Sequence, residues 1–438
     1  MKDHHEWSTA VLGDLILVSR PITYGIVQPG PDVSPNGIPL IRGKDYSSGK
    51  VTDSGLYHVL PEIDRPYRRS KVRPGDILLS IVGYLGQVAE VPASLAGANI
   101  TQTTARISVD PKKVVPRYLL HYFTSAAFKA EVRQFEKGSA QPGLNVGDLG
   151  KFSVRLPTDL RIQSKIAEIL STVDQAIEQT EALNAKKQQI KAGLMQDLLT
   201  RGIDEQGNLR SEETHAFKDS PRGRIPIEWD YLPLGTRLNG IEQGWSPDCD
   251  SVPAAQGQWG VLKTTAVVWE GFQYKKNKVL PSSFQPKPQY EVCRGDVLMT
   301  RGGPNSRVGV VAFVYETQPK LMLSDKLYRL VFEGSVDPEF VVLALSSAET
   351  QRHLSTLKTG LAESQTNISQ EIVRQLHIAL PPTPEQERIA EVIRNAHTHS
   401  QRDRENLEKL HSLKTALMQD LLTGEKRVTP LLDPAKAA

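Results

Sequence analysis

The sequence predicts a mixed α/β protein in which two globules are joined by two long antiparallel helices, arranged as a pseudo-two-fold internal repeat. Three observations predict it. The heptapeptide LMQDLLT stands at Leu194–Thr200 and again, letter for letter, at Leu417–Thr423. Apolar residues step by threes and fours through the forty-odd residues ending at each copy, which is the signature of a helix with a partner. Short β-branched runs broken by Gly, Pro, Asn and Asp fill the rest, which is strand-and-turn grammar.

A repeat is established by its surroundings, and these repeat as well. KIAEIL at Lys165–Leu170 answers RIAEVI at Arg388–Ile393, and this pair and the heptapeptide share one offset, 223 positions. GDILLS at Gly75–Ser80 answers GDVLMT at Gly295–Thr300, and Arg106 stands opposite Arg329. GSAQPGLN at Gly138–Asn145 loosely matches GLAESQTN at Gly360–Asn367. Glu6-Trp7 before LGDL answers Glu228-Trp229 before LGTRL. The order is therefore globule, helix, globule, helix, with expected boundaries at 1–160, 161–202, 203–382 and 383–425.

In the first helix the predicted seam is Ile162, Ile166, Ile169, Val173, Ala176, Thr180, Leu183, Lys187, Ile190 and Leu194. In the second it is Ile389, Val392, Ala396, His399, Asp403, Asn406, Leu410, Leu413 and Leu417, polar in the middle and apolar at both ends. The second helix opens with TPEQ, where Thr383 is expected to cap, Pro384 to take the first helical position and Gln386 to close a capping box. Each helix would run roughly 60 Å. Neither buries its seam alone, and each enclosed Leu or Ile contributes about 1.5–3 kcal/mol. Packing the two against each other satisfies both seams, while separate packing of each on its own globule stays open as the alternative. The globules are expected to add a few helices, notably Pro116–Phe135 and Pro338–Leu354.

At 438 residues the chain has room for two or three domains, and 39% hydrophobic with 24% charged residues is ordinary globular composition. Two cysteines, Cys249 and Cys293, make no disulfide framework and stand in no metal-ligand spacing, so a reducing cytoplasm is the expected compartment. The start MKDHHEWSTA has no apolar h-region, and no stretch is long enough to span a bilayer. Net charge of +3 permits a nucleic-acid partner without requiring one.

Chemistry-bearing motifs are scarce. GIPLIRGKD at Gly37–Asp45 has one residue too many for a phosphate-binding loop and puts Asp45 where a hydroxyl should meet the metal. The Pro381–Pro382 pair lies between Leu380 and Thr383, not in the Asn/Asp-Pro-Pro-aromatic signature of an amino-methyltransferase. There is no G-x-S-x-G elbow, and the histidines of HTH at His397–His399 lack ligand partners. A non-catalytic chain is expected, with no cofactor or metal of its own.

Basic stretches studded with aromatics occur in both globules. DRPYRRSKVRPGD at Asp64–Asp76 carries Arg65, Arg68 and Arg69 around Tyr67, and WEGFQYKKNK at Trp269–Lys278 carries Lys275 and Lys276. TRGGPNSR at Thr300–Arg307 joins a glycine pair to Arg301, Asn305 and Arg307. Arg42, Lys44, Arg106, Gln141, Asn145 and Lys263 complete the candidate DNA contacts. Lys and Arg neutralise phosphates, and Arg, Asn and Gln read base edges. For any one cluster, a solvated loop is the competing reading.

With the duplication in view, the chain resembles the specificity subunits of type I restriction–modification systems. The resemblance rests on IAEILSTVDQAIEQ at Ile166–Gln179, the twin LMQDLLT ends, LPPTPEQERIAEVI at Leu380–Ile393 and FKDSPRGRIPIEW at Phe217–Trp229. The first helix departs from it by opening LPTDLRIQSKIAE, without Pro-Glu-Gln. The resemblance implies that each globule is a target recognition domain reading half of a split, asymmetric sequence in double-stranded DNA. It implies that the helices set the gap between half-sites and dock two methyltransferase (modification) subunits. S-adenosylmethionine, ATP and Mg would then sit on the modification and motor–nuclease (restriction) partners, and no membrane is involved. A stand-alone DNA methyltransferase or nuclease, and a coiled-coil adaptor that touches no DNA, are the competing functions.

Overall fold

The computed structural model describes residues 6–47, 49–137, 142–221, 223–359 and 365–432. Contacts divide the chain into two compact units, Met1–Ala182 with Glu405–Ala438, and Leu183–Arg404. The division runs through the middle of both long helices, Leu160–Thr200 and Thr383–Thr423, each of 41 residues. Each unit is thus one globule plus half of each helix.

The duplication seen in the letters reappears in the strand order. In the first unit a four-stranded antiparallel sheet runs Thr23–Tyr24, Thr104–Ile107, Ile77–Ser80, Val88–Glu90. In the second the order is Leu238–Gln243, Leu327–Phe332, Val297–Thr300, Val311–Phe313. Registers match too: Leu78 faces Arg106 and Leu298 faces Arg329. A mixed three-stranded sheet accompanies each, Tyr57–Val59, Ile38–Ile41, Asn99–Ile100 in one and Asn277–Val279, Gly260–Leu262, Leu321–Met322 in the other. A two-stranded ribbon closes each globule, Trp7–Val11 with Ser153–Pro157 and Asp230–Pro233 with His377–Leu380. Two helices follow each main sheet, Pro116–Phe123 and Ala126–Phe135, then Pro338–Ser346 and Ala348–Leu357. The central strands Ile77–Ser80, Thr104–Ile107 and Val297–Thr300 are buried on both faces: Ile77 and Leu79 pack in the core with the helices, while Leu78 packs in a second core on the other face.

Within each unit the helix halves run antiparallel. In the first, Asp174 pairs with Lys414 at 2.6 Å and Glu181 with His411 at 3.6 Å, so rising numbers meet falling ones. In the second, Lys187 pairs with Asp403 at 2.6 Å while Leu198 shares a core with Ile389 and Ile393. Ile162, Ile166, Ile169 and Leu417 pack in the first core and Leu194 and Ile389 in the second, as the seam predicts. Val173 and Leu410 are half-buried.

The rest of the seam needs correction. Leu183 is 51% exposed, Ile190 59%, Val392 38% and Leu413 48%. The inward line instead takes the next residue each time: Leu170, Ile177, Asn184, Lys191 and Leu198 on the first helix, and Ile393, Ser400, Leu407, Lys414 and Leu421 on the second. Both seams are turned by one residue in the same sense. Neighbours such as Ile169 and Leu170, or Ala176 and Ile177, are both apolar, so the pattern allows two phases about 100° apart.

The capping box also gives way to a different device. Thr383 donates its hydroxyl to Ser335 O at 2.8 Å, and the N–H groups of Glu385 and Gln386 return to Pro382 O. Gln386, 1% exposed, donates to Pro381 O at 2.7 Å and accepts the N–H of Asp337 at 2.8 Å. Gln163 does the same on the first helix, donating to Pro157 O at 2.7 Å and accepting Val115 N–H at 2.8 Å. A buried amide therefore ties the start of each long helix to the start of a globule helix. Asp159 caps the first helix by accepting Arg161 N–H at 2.8 Å, and this pairing with Arg161 holds its carboxyl below the usual range.

Candidate nucleic-acid interface

Among the described residues most of the predicted contact residues are exposed, but the core has claimed one. Arg106 is claimed. It is 1% exposed, donating to Ser108 Oγ and to Pro21 O at 3.0 Å, with Ser108 in turn donating to Asp76 at 2.5 Å. Burial, then the charge of Arg20, lowers its guanidinium to about 10, so it stays cationic at neutral pH. Its counterpart Arg329 reaches Asp296 directly at 3.1 Å. Arg106 is therefore a core strut and not a surface DNA contact: its bonds to Ser108 and Pro21 O hold it inside, with Ser108 linking it to Asp76, whose ion-pair partner is Arg20 at 2.7 Å.

Arg42 and Lys263 occupy one place in the repeat, ahead of the short turns Gly43–Tyr46 and Thr264–Ala266. Arg42 grips Asp45 at 3.0 Å and lies over the Tyr57 ring at 5.1 Å, so it shapes its own turn. Lys44 is exposed. Lys263 reaches Ser251 O at 3.3 Å. Arg65, Arg68 and Arg69 are exposed along Arg65–Ser70 and make no ion pair among the described residues, whereas Lys71 is held by Asp64 at 2.8 Å. Lys275 and Lys276 are exposed, with Lys275 6.0 Å from the Tyr274 ring centre. Asn145 is exposed but uses its side-chain oxygen on Gly147 N–H at 2.9 Å. Gln141 lies outside the described residues.

The Gly-Gly loop divides its residues by task. Arg301 is half-buried, its guanidinium 5.5 Å from the Tyr328 ring centre and donating to Asp325 O at 3.1 Å, so it braces the loop from below. Asn305 and Arg307 are exposed on the turn. Thr300 Oγ1 donates to Arg307 O and Lys358 Nζ to Asn305 O at 2.9 Å, which fixes the turn and leaves both side chains outward. Spacing alone does not single out Tyr84, Lys129 or Arg133, all exposed in the first unit. For Tyr84 the signal was present: V-G-Y-L-G stands in the repeat where R-G-G-P-N-S-R stands in the second half.

No cluster of His, Cys, Asp and Glu able to hold a metal occurs among the described residues, and no helix there is long and apolar enough to cross a membrane. The exposed residues include cations, amides and aromatics, a chemistry suited to phosphates and base edges.

Comparison with known proteins agrees. A family model described as type I restriction modification DNA specificity domain matches residues 37–192. The EcoEI type I restriction enzyme specificity subunit of Escherichia coli is 43% identical over 171 residues, which are 39% of this chain and 29% of that protein. The chain thus spans under a third of that relative's length in the match. The MjaVIII specificity subunit of Methanocaldococcus jannaschii is 25% identical over 345 residues, 75% of each protein. Among solved structures, the S subunit of a type I restriction–modification system from M. genitalium aligns with a TM-score of 0.58 over 96% of this chain and 97% of that one. Its 12% identity speaks to the fold alone. With the repeat, the paired sheets and the matched sequences taken together, the chain is similar to the specificity subunits of type I restriction–modification systems.

Proposed function

We propose that this chain is the DNA-reading subunit of a type I restriction–modification complex, with each unit recognising one half of a split, asymmetric target in double-stranded DNA. One observation carries the reading. The two units share strand order and register, yet their equivalent loops carry unlike exposed side chains, as two readers of unlike half-sites require. The chain itself is non-catalytic in this reading and works in the cytoplasm. Two methyltransferase subunits dock on it and supply S-adenosylmethionine chemistry, and motor–nuclease subunits bring ATP and Mg. The test is to assemble the chain with its modification subunits and map methylated adenines across a genome. Two unlike half-sites at a fixed gap are expected. Methylation without such a split sequence, or S-adenosylmethionine binding by the chain alone, refutes the proposal.

A further inference from the structure

The repeat supplies an internal control that singles out one loop. In the first unit the strand Ile77–Ser80 ends where Ser80 N–H donates to Gln87 O at 2.8 Å and Gly86 N–H to Ser80 O at 2.9 Å. In the second, Thr300 N–H donates to Val310 O at 2.9 Å and Gly309 N–H to Thr300 O at 2.8 Å. The next residues are tied down identically. Ile81 donates to Thr103 O and accepts Leu144 N–H, both at 2.9 Å, while Arg301 donates to Lys326 O and accepts Ile368 N–H, both at 2.9 Å. Between these anchors the letters part: Ile81-Val82-Gly83-Tyr84-Leu85 against Arg301-Gly302-Gly303-Pro304-Asn305-Ser306-Arg307-Val308. A loop rewritten on an unchanged frame is where readers of different half-sites must differ.

The surroundings of the first loop suit DNA. Tyr84 is 51% exposed, so its ring and hydroxyl are open to a ligand. Its ring edge lies over Gly43, so close that a Cβ there would stand 3.4 Å from it, between Arg42 and Lys44. Beside the loop opens a cleft of about 660 Å³ walled by Leu85, Gly86, Gln87 and, from and just after the helix Ala126–Phe135, Lys129, Arg133 and Glu136, two cations against one carboxylate. Lys44, Lys129 and Arg133 are exposed and make no ion pair among the described residues. A phenol donates and accepts through one oxygen and presents apolar carbon to a thymine methyl, while the flanking cations neutralise phosphates.

We propose that Tyr84 is the specificity-determining residue of the first unit, reading a base of its half-site, with Lys129 and Arg133 on the cleft wall and Lys44 next to Gly43 holding the flanking phosphates. The assignment rests on the DNA-reading function proposed above. The experiment assembles full-length variants with the modification subunits, maps methylated adenines, and measures affinity for the cognate duplex at several salt concentrations. Tyr84→Ala is expected to relax one position of one half-site by roughly tenfold and to leave the other half-site untouched. Tyr84→Phe separates the hydroxyl from the ring, retaining a thymine preference if the ring carries it. Lys129→Ala and Arg133→Ala should weaken every sequence alike, each lowering the salt slope by about 1. Wild type that methylates a split target while Tyr84→Ala, folded by its melting curve, methylates the same target with the same preference overturns the assignment and leaves the function standing. Wild type that reads no split target overturns the function itself.

Discussion

Trp229 and Trp7 hold the same place in the repeat, at the corner where a long helix ends against a globule. Trp229 is fully enclosed, packed edge-on against Phe340, and donates its indole N–H to Glu385 at 3.1 Å. That carboxylate, 2% exposed, also accepts Ile203 N–H at 2.9 Å and both ends of the Arg210 guanidinium. Trp7 is only half-buried, with Arg155 stacked 5.6 Å from its ring centre. Where the second corner has Glu385 the first has Ile162, 6% exposed in the apolar core, and its charges stay outside as Glu6 with Arg427 at 3.7 Å. One backbone plan is therefore closed in two ways. A buried ion accepts several donors and needs all of them, whereas an apolar side chain needs only volume.

The difference can be broken on purpose. Glu385→Ala should have the largest effect, destabilising by about 3–5 kcal/mol in denaturant unfolding, because it strands a buried guanidinium. Glu385→Ile with Arg210→Met copies the apolar solution and should recover much of that loss. Ile162→Val, which only trims the apolar corner, should cost about 0.5–1.5 kcal/mol. If the single change at Glu385 costs no more than the one at Ile162, the two corners are not held differently.

The glycines ending the helices extend the comparison. Gly202 (φ +65°) and Gly424 (φ +79°) both turn left-handed, so alanine at either should cost about 1–2 kcal/mol. At Gly202 the new Cβ would also stand 2.1 Å from the Glu385 carboxylate and 2.5 Å from the Trp229 ring, all sealed, which adds about 1–3 kcal/mol of overpacking. At Gly424 it would meet Trp7 at 2.7 Å, a ring with room to shift. Gly202→Ala should therefore lower the melting temperature more than Gly424→Ala.

A pH-dependent contrast follows from the helices Pro116–Phe123 and Pro338–Ser346, where His121 and Leu343 hold equivalent places. His121 is 4% exposed and bonds Ser171 Oγ at 2.9 Å, facing Asp174, Lys414 and Arg117. Burial lowers its pKa to about 4 despite the Asp174 charge. Between pH 6.5 and about 4 the unfolded chain holds the proton and the folded chain refuses it, so stability falls as the pH drops through that window. The slope is at most about 1.4 kcal/mol per pH unit. His121→Leu, which copies the second unit, should flatten the dependence of the unfolding midpoint across the window, and an unchanged slope would count against the histidine.

The smallest effect is expected at the polar stretch of the helix pair. Lys187 and Asp403 are 43% and 23% exposed, so Lys187→Ala should cost less than about 1 kcal/mol and less still at high salt. A larger loss would mean that the pair sets helix register.

Much of this architecture is legible in the letters because it is local or duplicated. The matching heptapeptides, the two 41-residue helices and the strand runs are written by neighbours three, four or two residues apart, and the repeat checks each half against the other. The exposed cations on the loops are equally plain. What the tertiary structure alone decided is which of two equivalent local choices prevails. The seam phase was a tie at Ile169–Leu170 and Ala176–Ile177, but beside Leu183, Ile190 and Leu413 the inward residues are Asn184, Lys191 and Lys414, so there the tertiary structure overrides the apolar pattern and leaves the larger apolar side chains outside. Gln386 looked like half of a capping box, but its partner Asp337 lies forty-nine residues earlier. Arg106 reads as a DNA contact until Ser108 and Pro21 O hold it inside. Periodicity is set by the backbone's own geometry, whereas burial is set by whichever distant groups fold against it.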